Sequence, residues 1–305
     1  MPAAITAAAA PAGYGRGIAC QVTAIFLFSI MGVLVKGLGD HYPTSQIIFF
    51  RSLPALIPLM LYLPNQGGWR ALLTKRPDLQ FLRATIGVLS MFVGFYALAR
   101  MDFASYVTIS YSAPLFGTLL AIPFLGEKVG IRRVSAVLIG FSGVVLAAAP
   151  DGSGISLYAL LALAAAFAYG CIMVVMRKLG TIDSSAATVF YFTLAGVILG
   201  GVLMPFEWVT PEPMDLALLA GVGVIGGVAQ IFMTEAFRQA PTAVVAPFDY
   251  TAMIWAVPLG YLVFDSVPSG QVIAGAAIIA GAGLFILYRE TKLGLKKPRL
   301  KRSSL

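Results

Sequence analysis

The chain is 305 residues long, 59% hydrophobic and 11% charged, with a formal net charge of +8. Soluble domains carry about a quarter charged residues, so this composition excludes a soluble domain and predicts an all-α integral membrane protein. A spanning helix uses about 20 apolar residues, so ten spans would leave no room for a soluble catalytic domain. The single histidine, His41, and the two cysteines, Cys20 and Cys171, provide neither a disulfide framework nor a metal site. We therefore expect no metal and no cofactor.

The apolar segments predict ten membrane-spanning helices. Residues 1–16 precede them as a disordered tail, because this segment is uncharged as far as Gly15 and does not resemble a cleavable signal. Residues 289–305 follow them as a basic cytoplasmic tail. The predicted spans are 17–39, 45–63, 79–99, 104–125, 131–149, 155–178, 185–206, 214–237, 242–264 and 269–288.

The positive charges predict the orientation of these spans. With the N-terminus inside, the cytoplasmic segments hold eighteen of the 21 lysines and arginines, Arg83 among them, whereas the outer loops hold only Arg100. Cytoplasmic loops retain positive charge, so both termini are predicted to be cytoplasmic. The basic C-terminal run is expected to serve topology and to contact anionic lipid in the bilayer, rather than to bind nucleic acid.

The sequence contains a weak internal repeat. Residues 96–125 align with residues 235–264, and Ser110-Tyr111-Ser112-Ala113 falls on Asp249-Tyr250-Thr251-Ala252. Two halves of five spans each follow, at 17–149 and 155–288. An odd number of spans per half forces the second half to enter the membrane from the opposite side. This inverted arrangement is typical of alternating-access transporters.

Several short motifs, taken in order, resemble the EamA-type drug/metabolite transporter superfamily. They are Pro43–Ser52 after a first helix that carries Lys36, Tyr96-Ala97-Leu98 before Ala104-Ser105, and Gly126-Glu127-Lys128-Val129 before a glycine-containing apolar helix. The second half departs from the pattern, with Asp265 or Ser266 where the first half has Glu127. The resemblance implies a ten-helix secondary transporter, often a bacterial inner-membrane exporter of amino acids or other small metabolites.

The repeat also predicts a substrate site. Tyr111 and Tyr250 lie at mirrored depths, each roughly 11 Å into the membrane from opposite sides. The candidate cavity wall comprises Tyr111, Ser110, Ser112, Tyr250, Thr251 and Trp255. Tyrosine and tryptophan offer flat apolar faces with a polar end, which suits an amphipathic substrate. The alternative is that these side chains are packed core residues.

Three charged residues inside spans have candidate roles. Asp249 could carry a proton or bind a substrate ammonium, but it could also pair with a buried cation or lie nearer the surface. Arg51 could bind a substrate carboxylate, although a structural role is the alternative. Glu235 is a coupling candidate, either as a local ion pair with Arg238 or as a gate contact.

Prolines mark candidate hinges in the two repeat-related helices. Pro114 and Pro123 lie in the fourth span, and Pro247 and Pro258 lie in the ninth. Interrupted helices at corresponding positions of the two halves indicate the substrate site and the helices that move. The alternative is that these prolines produce passive kinks that only improve packing. The segment 221–226 matches GxGxxG, but inside a membrane helix this spacing serves helix packing rather than a cofactor.

These features favour a secondary transporter that exports a small amphipathic metabolite, most simply an amino acid, with protons as a candidate coupling ion. A second interpretation is uptake of a larger cofactor or nucleotide-like metabolite. An intramembrane enzyme is disfavoured, since the sequence has no HExxH or GxSxG motif. A membrane scaffold would not need inverted halves.

Overall fold

The computed structural model describes residues 14–126, 130–149, 154–179, 182–240 and 242–292. Within these ranges every regular element is helical. Most of both predicted tails and residues 127–129 of the Gly126–Val129 motif lie outside the described residues. The first helix begins at Gly15, ahead of the predicted start at 17, and the last continues to Lys292, beyond the predicted 288.

Ten spans are present in these ranges, and three of them are interrupted. We number them α1 to α10 and give the parts of an interrupted span letters. They are α1 Gly15–Leu38, α2a Thr44–Ser52, α2b Leu56–Tyr62, α3 Pro77–Ala99, α4a Phe103–Ser110, α4b Ala113–Leu125, α5 Ile131–Ala148, α6 Leu157–Leu179, α7 Ser185–Leu203, α8 Pro213–Gln239, α9a Thr242–Val245, α9b Thr251–Phe264 and α10 Gly270–Lys292.

Nine of the described spans are long and apolar enough to cross a membrane. The remaining one, α9, is shorter because a 3₁₀ turn, Ala246–Tyr250, separates its two parts. The prediction of an all-helical membrane protein with ten spans is confirmed. The chain is therefore a multi-pass membrane protein.

The packing of the helices has the symmetry of an inverted repeat. Helix α1 packs on α8, and the equivalent pair, α6 and α3, also packs together. Likewise, α4b packs on α6, and the equivalent helix α9b packs on α1. Helix α3 packs on α7, and the equivalent helix α8 packs on α2. The pairs α2–α7, α4–α9 and α5–α10 map onto themselves. Exchanging the halves thus leaves these contacts unchanged, as a pseudo-two-fold axis requires.

The α5–α10 contact depends on two glycines. A Cβ atom at Gly143 would lie 2.8 Å from the carbonyl oxygen of Gly275, and one at Gly275 would lie 2.5 Å from that of Gly143. Because lipid provides no hydrophobic drive between helices, such close backbone approach is a main source of helix association in membranes.

The fourth and ninth spans break at the same repeat position. Helix α4a ends before Tyr111, and the 3₁₀ turn of α9 ends at Tyr250, the repeat equivalent of Tyr111. Pro114 lies in the first turn of α4b and Pro247 in the first turn of the 3₁₀ segment, where a missing N–H is tolerated. The far ends also correspond, since Gly126 and Asp265 both take a left-handed conformation, with φ of 65° and 50°.

Candidate functional site

Two tyrosines meet where the interrupted helices approach each other. The rings of Tyr111 and Tyr250 have centroids 5.8 Å apart and are tilted by 47°. A Cβ atom at Gly283 of α10 would overlap the Tyr250 hydroxyl, so only glycine leaves room for this ring. The hydroxyl is buried and has no hydrogen-bond partner among the described residues. The two repeat-related tyrosines thus form one aromatic contact between the halves.

Asp249 lies beside this pair, within the 3₁₀ turn of α9. Its carboxylate accepts a hydrogen bond from the side-chain amide of Gln21, which is buried in α1. It also interacts electrostatically with the hydroxyls of Tyr111, Tyr169 and Tyr250. The neighbour that bonds Asp249 is thus a neutral amide rather than a cation. The polar surroundings of Asp249 come from α1, α4, α6 and α9 together.

The hydroxyl residues of the predicted cavity wall serve the helix breaks. Ser112 donates to the carbonyl of Ile109 at 2.7 Å, and Thr251 donates to the carbonyl of Phe248 at 2.6 Å. These two bonds are repeat equivalents, because the internal alignment pairs the two donors with each other and the two acceptors with each other. Each of these carbonyls also accepts the backbone N–H of the same residue, so the hydroxyl adds a second hydrogen bond at the break. Ser110 instead lies near the hydroxyl of Tyr106, one turn back on α4a.

Trp255 lies one turn beyond Tyr250 and contacts the first half. Its ring meets Phe26 of α1 edge to face, with centroids 4.9 Å apart. Its Nε1 is buried with no hydrogen-bond partner in the described part of the chain. A buried indole N–H usually finds an acceptor, so this donor is available to a ligand.

Two buried arginines contact one phenylalanine on the other side of Tyr169. The Arg51 guanidinium carbon lies 5.4 Å from the centroid of Phe192, and that of Arg83 lies 4.5 Å from it. Both side chains are buried, at 4% and 6% exposure. The sequence prediction included Arg51 but counted Arg83 among the cytoplasmic loop cations. Since α3 begins at Pro77, Arg83 lies nearly two turns into the helix, a depth comparable to that of Arg51.

Tyr169 of α6 joins the acidic and basic sides of the site. It interacts electrostatically with both Asp249 and Arg83, and its side chain is 48% exposed. Tyr169 and Phe192 were not among the predicted residues. In the sequence, only their depth within a predicted span and their aromatic character could have suggested them.

Glu235 lies in a different contact, between α8 and α2. Glu235 accepts hydrogen bonds from Tyr62 at 3.1 Å and from Gln239 at 2.6 Å, which links α8 to α2 across the two halves. The side chain of its predicted partner, Arg238, lies outside the described residues. Pro123 and Pro258 are exposed on the surfaces of α4b and α9b, and Pro114 is half-buried.

The structure also contains an apolar cleft beside Tyr250. It has a volume of about 350 Å³ and lies between α4a, α9b and α10. Its lining includes Ala104, Thr108, Met253 and Val272. The cleft gives the aromatic contact a side opening toward the apolar surface of the bundle.

Ten spans in two inverted halves, with polar groups buried where the halves meet, define a multi-pass membrane transporter built from two repeats. The chain belongs to the EamA-like transporter family, whose model matches residues 15–149 and again residues 156–288. The resemblance inferred from the sequence motifs is thus confirmed.

Several curated relatives are similar over nearly the whole chain. The S-adenosylmethionine uptake transporter of Rickettsia bellii is 28% identical and covers 93% of this chain and 97% of the relative. The pseudopaline exporter CntI of Pseudomonas aeruginosa is 30% identical, with 91% and 97% covered. The riboflavin transporter of Vibrio cholerae is 29% identical, with 91% and 94% covered.

A solved crystal structure shares the fold. It aligns with a TM-score of 0.64 at 20% identity and covers 92% of this chain and 99% of that chain. At this identity the likeness concerns the fold alone.

Proposed function

We propose that this transporter exports an amino acid or amino-acid conjugate from the cytoplasm by alternating access. The observation that carries the proposal is the placement of Asp249 beside the Tyr111–Tyr250 contact, at the repeat-related breaks of α4 and α9. A carboxylate inside a span, with no cationic partner among the described residues, suits a substrate ammonium, and the aromatic faces suit an apolar side chain. Substrate release then requires only that the two halves change their tilt around this contact.

The cellular setting follows from the charge distribution. We place the protein in the bacterial inner membrane with both termini in the cytoplasm, on the strong excess of cations in the predicted inner loops. Export from the cytoplasm would then begin at the side where α1 starts and end at the side of the α1–α2 loop. Protons remain our candidate coupling ion, with Asp249 as the carrier.

Uptake of a larger metabolite is the second candidate. It is supported by two relatives, an S-adenosylmethionine uptake transporter and a riboflavin transporter. The apolar cleft beside Tyr250 offers additional volume for such cargo. A nucleoside or flavin ring would stack on the tyrosines in place of an amino-acid side chain.

Counterflow in proteoliposomes tests both candidates. Purified protein would be reconstituted with unlabelled phenylalanine, methionine, S-adenosylmethionine or riboflavin inside, and uptake of the labelled compound would be measured. We expect counterflow with an amino acid or its conjugate, a lower apparent substrate affinity in Asp249→Asn, and no change in Glu212→Gln, an exposed carboxylate in the loop before α8. Counterflow with riboflavin alone would contradict the amine-based proposal.

A further inference from the structure

The two buried arginines occupy the middle of the membrane, not its surface. Arg51 lies seven residues into α2a and Arg83 six residues into α3, from opposite ends of the bundle. At about 1.5 Å per residue, each is roughly 10 Å deep in a core of about 30 Å. The distances to Phe192 place the two guanidinium carbons within about 10 Å of each other.

Both guanidinium groups have unused hydrogen-bond capacity. The Nε atoms of Arg51 and Arg83 are buried and have no partner among the described residues. Arg83 uses one donor on the backbone carbonyl of Thr188, at 2.9 Å. Neither arginine has a carboxylate within ion-pair distance in the described ranges. Two like charges therefore share one buried region without a described counter-ion.

Contact with Phe192 does not explain this arrangement. A cation–π contact is worth about 0.5–2 kcal/mol. The effective cost of burying an ion is several kcal/mol, and a like charge nearby adds to it. The arginines therefore require an anion to offset their burial. The Nε donors and the planar fork of arginine match a carboxylate, which accepts two parallel hydrogen bonds.

We propose that Arg51, Arg83 and Phe192 form a carboxylate site, opposite the acidic site at Asp249. This proposal rests on the proposed function, because it assigns the second charged group of the same substrate. Tyr169 interacts electrostatically with both Arg83 and Asp249 and so joins the two sites. A zwitterion would thus bind in one orientation, with its carboxylate toward α2, α3 and α7 and its ammonium toward α9.

Three related probes separate the two ends of this site. L-Phenylalanine carries both charges, L-phenylalaninamide lacks the carboxylate, and 3-phenylpropionate lacks the ammonium. Binding to the purified full chain is measured as the concentration-dependent rise in the unfolding midpoint. We expect Arg51→Gln and Arg83→Gln to weaken 3-phenylpropionate binding at least tenfold while leaving phenylalaninamide within twofold. Asp249→Asn should show the reverse pattern.

Two further variants control for folding and for charge in general. Arg51→Lys keeps a cation but loses the fork, so we expect an intermediate loss even where Arg51→Gln does not fold. Arg100→Gln removes an exposed arginine that stacks on Tyr96, and it should leave all three affinities unchanged.

The outcomes distinguish this proposal from the proposed function. If phenylalaninamide binds and 3-phenylpropionate does not, the carboxylate site is wrong and the amine site stands. If 3-phenylpropionate binds in an arginine-dependent way and phenylalaninamide does not, the amine site is wrong and the arginine site stands. Arginine-dependent stabilisation by inorganic phosphate, without any by 3-phenylpropionate, would overturn the carboxylate assignment in favour of a phosphate.

Discussion

Asp249 accepts a hydrogen bond from Gln21 and interacts electrostatically with three tyrosine hydroxyls, and both features matter for its chemistry. Asparagine has nearly the same shape as aspartate, but its amide cannot take up and release a proton as a carboxylate does. We expect Asp249→Asn to abolish the response of flux to an imposed pH gradient, measured in proteoliposomes with equal protein levels.

Glu212→Gln is the matched control, since it removes an exposed carboxylate from the same half. Its flux should follow the pH gradient as the wild type does. If Asp249→Asn also keeps the full response, Asp249 is not the coupling residue, and its role is confined to binding or structure.

We expect both contacting tyrosines to contribute to the affinity for substrate. Truncating either Tyr111 or Tyr250 to alanine removes an aromatic face worth about 1–3 kcal/mol of contact, which is roughly a five- to hundredfold loss of apparent affinity. Tyr250→Phe should cost less, because its hydroxyl has no hydrogen-bond partner among the described residues. Binding of the counterflow substrate measures both effects.

Tyr106 provides the control on the same span. It lies farther from the break and packs against Gly94 of α3, so Tyr106→Ala should affect substrate affinity less. If Tyr106→Ala weakens binding and neither Tyr111→Ala nor Tyr250→Ala does, the substrate does not contact the repeat-related tyrosines.

At the scale of the elements, the two helix breaks are held by equivalent hydroxyl bonds. Ser112→Ala and Thr251→Val would each remove a side-chain hydrogen bond from a carbonyl at the break, which then keeps only its backbone N–H donor. We expect each to lower the free energy of unfolding by about 0.5–1.5 kcal/mol. The measurement is the denaturation midpoint in detergent, and Ser135→Ala, an exposed serine of α5, serves as the control. A large loss of substrate affinity at unchanged stability would instead assign these hydroxyls to the substrate.

A second element-scale feature joins the halves at the end where the termini lie. Asp183, in the α6–α7 loop, accepts hydrogen bonds from Thr74, from the backbone N–H of Lys75 at 3.0 Å and from Gln80 at 2.9 Å. Partial burial raises the pKa of Asp183, but these hydrogen bonds outweigh it and hold the pKa below its ordinary value.

The sign of this shift predicts a pH dependence. A depressed pKa in the folded state contributes stability above the unfolded pKa of about 3.9, and this contribution is lost as the pH falls through the folded value. Asp183→Asn should therefore lower the unfolding midpoint at pH 7, and the difference from wild type should shrink below about pH 4. Midpoints of the two proteins across this range provide the test. A difference that does not change with pH would contradict a role for the charge.

The sequence predicts the tyrosines of the candidate site better than its arginines. The internal alignment predicted Tyr111, Tyr250 and their helix breaks, because a repeat relates local sequence to local structure. Arg83 and Phe192 have no such signal: the residues at the corresponding positions are Val222 and Leu53. Their contact forms only when α3 and α7 pack together, and one sequence does not encode that pairing locally.

At the scale of the whole molecule, the orientation of the bundle remains a prediction with a direct test. The burial of Arg83 removes one cation from the inner loops and leaves seventeen against Arg100 alone outside, so the bias is nearly unchanged. A fluorescent protein fused to the C-terminus should fold and fluoresce, because it matures in the cytoplasm. Alkaline phosphatase at the same position should be inactive, whereas phosphatase fused within residues 207–212, between α7 and α8, should be active. The reverse pattern would place both termini outside. It would leave the inverted repeat intact but would turn the Asp183 contact toward the exterior, so that the direction of the proposed export would have to be reassigned.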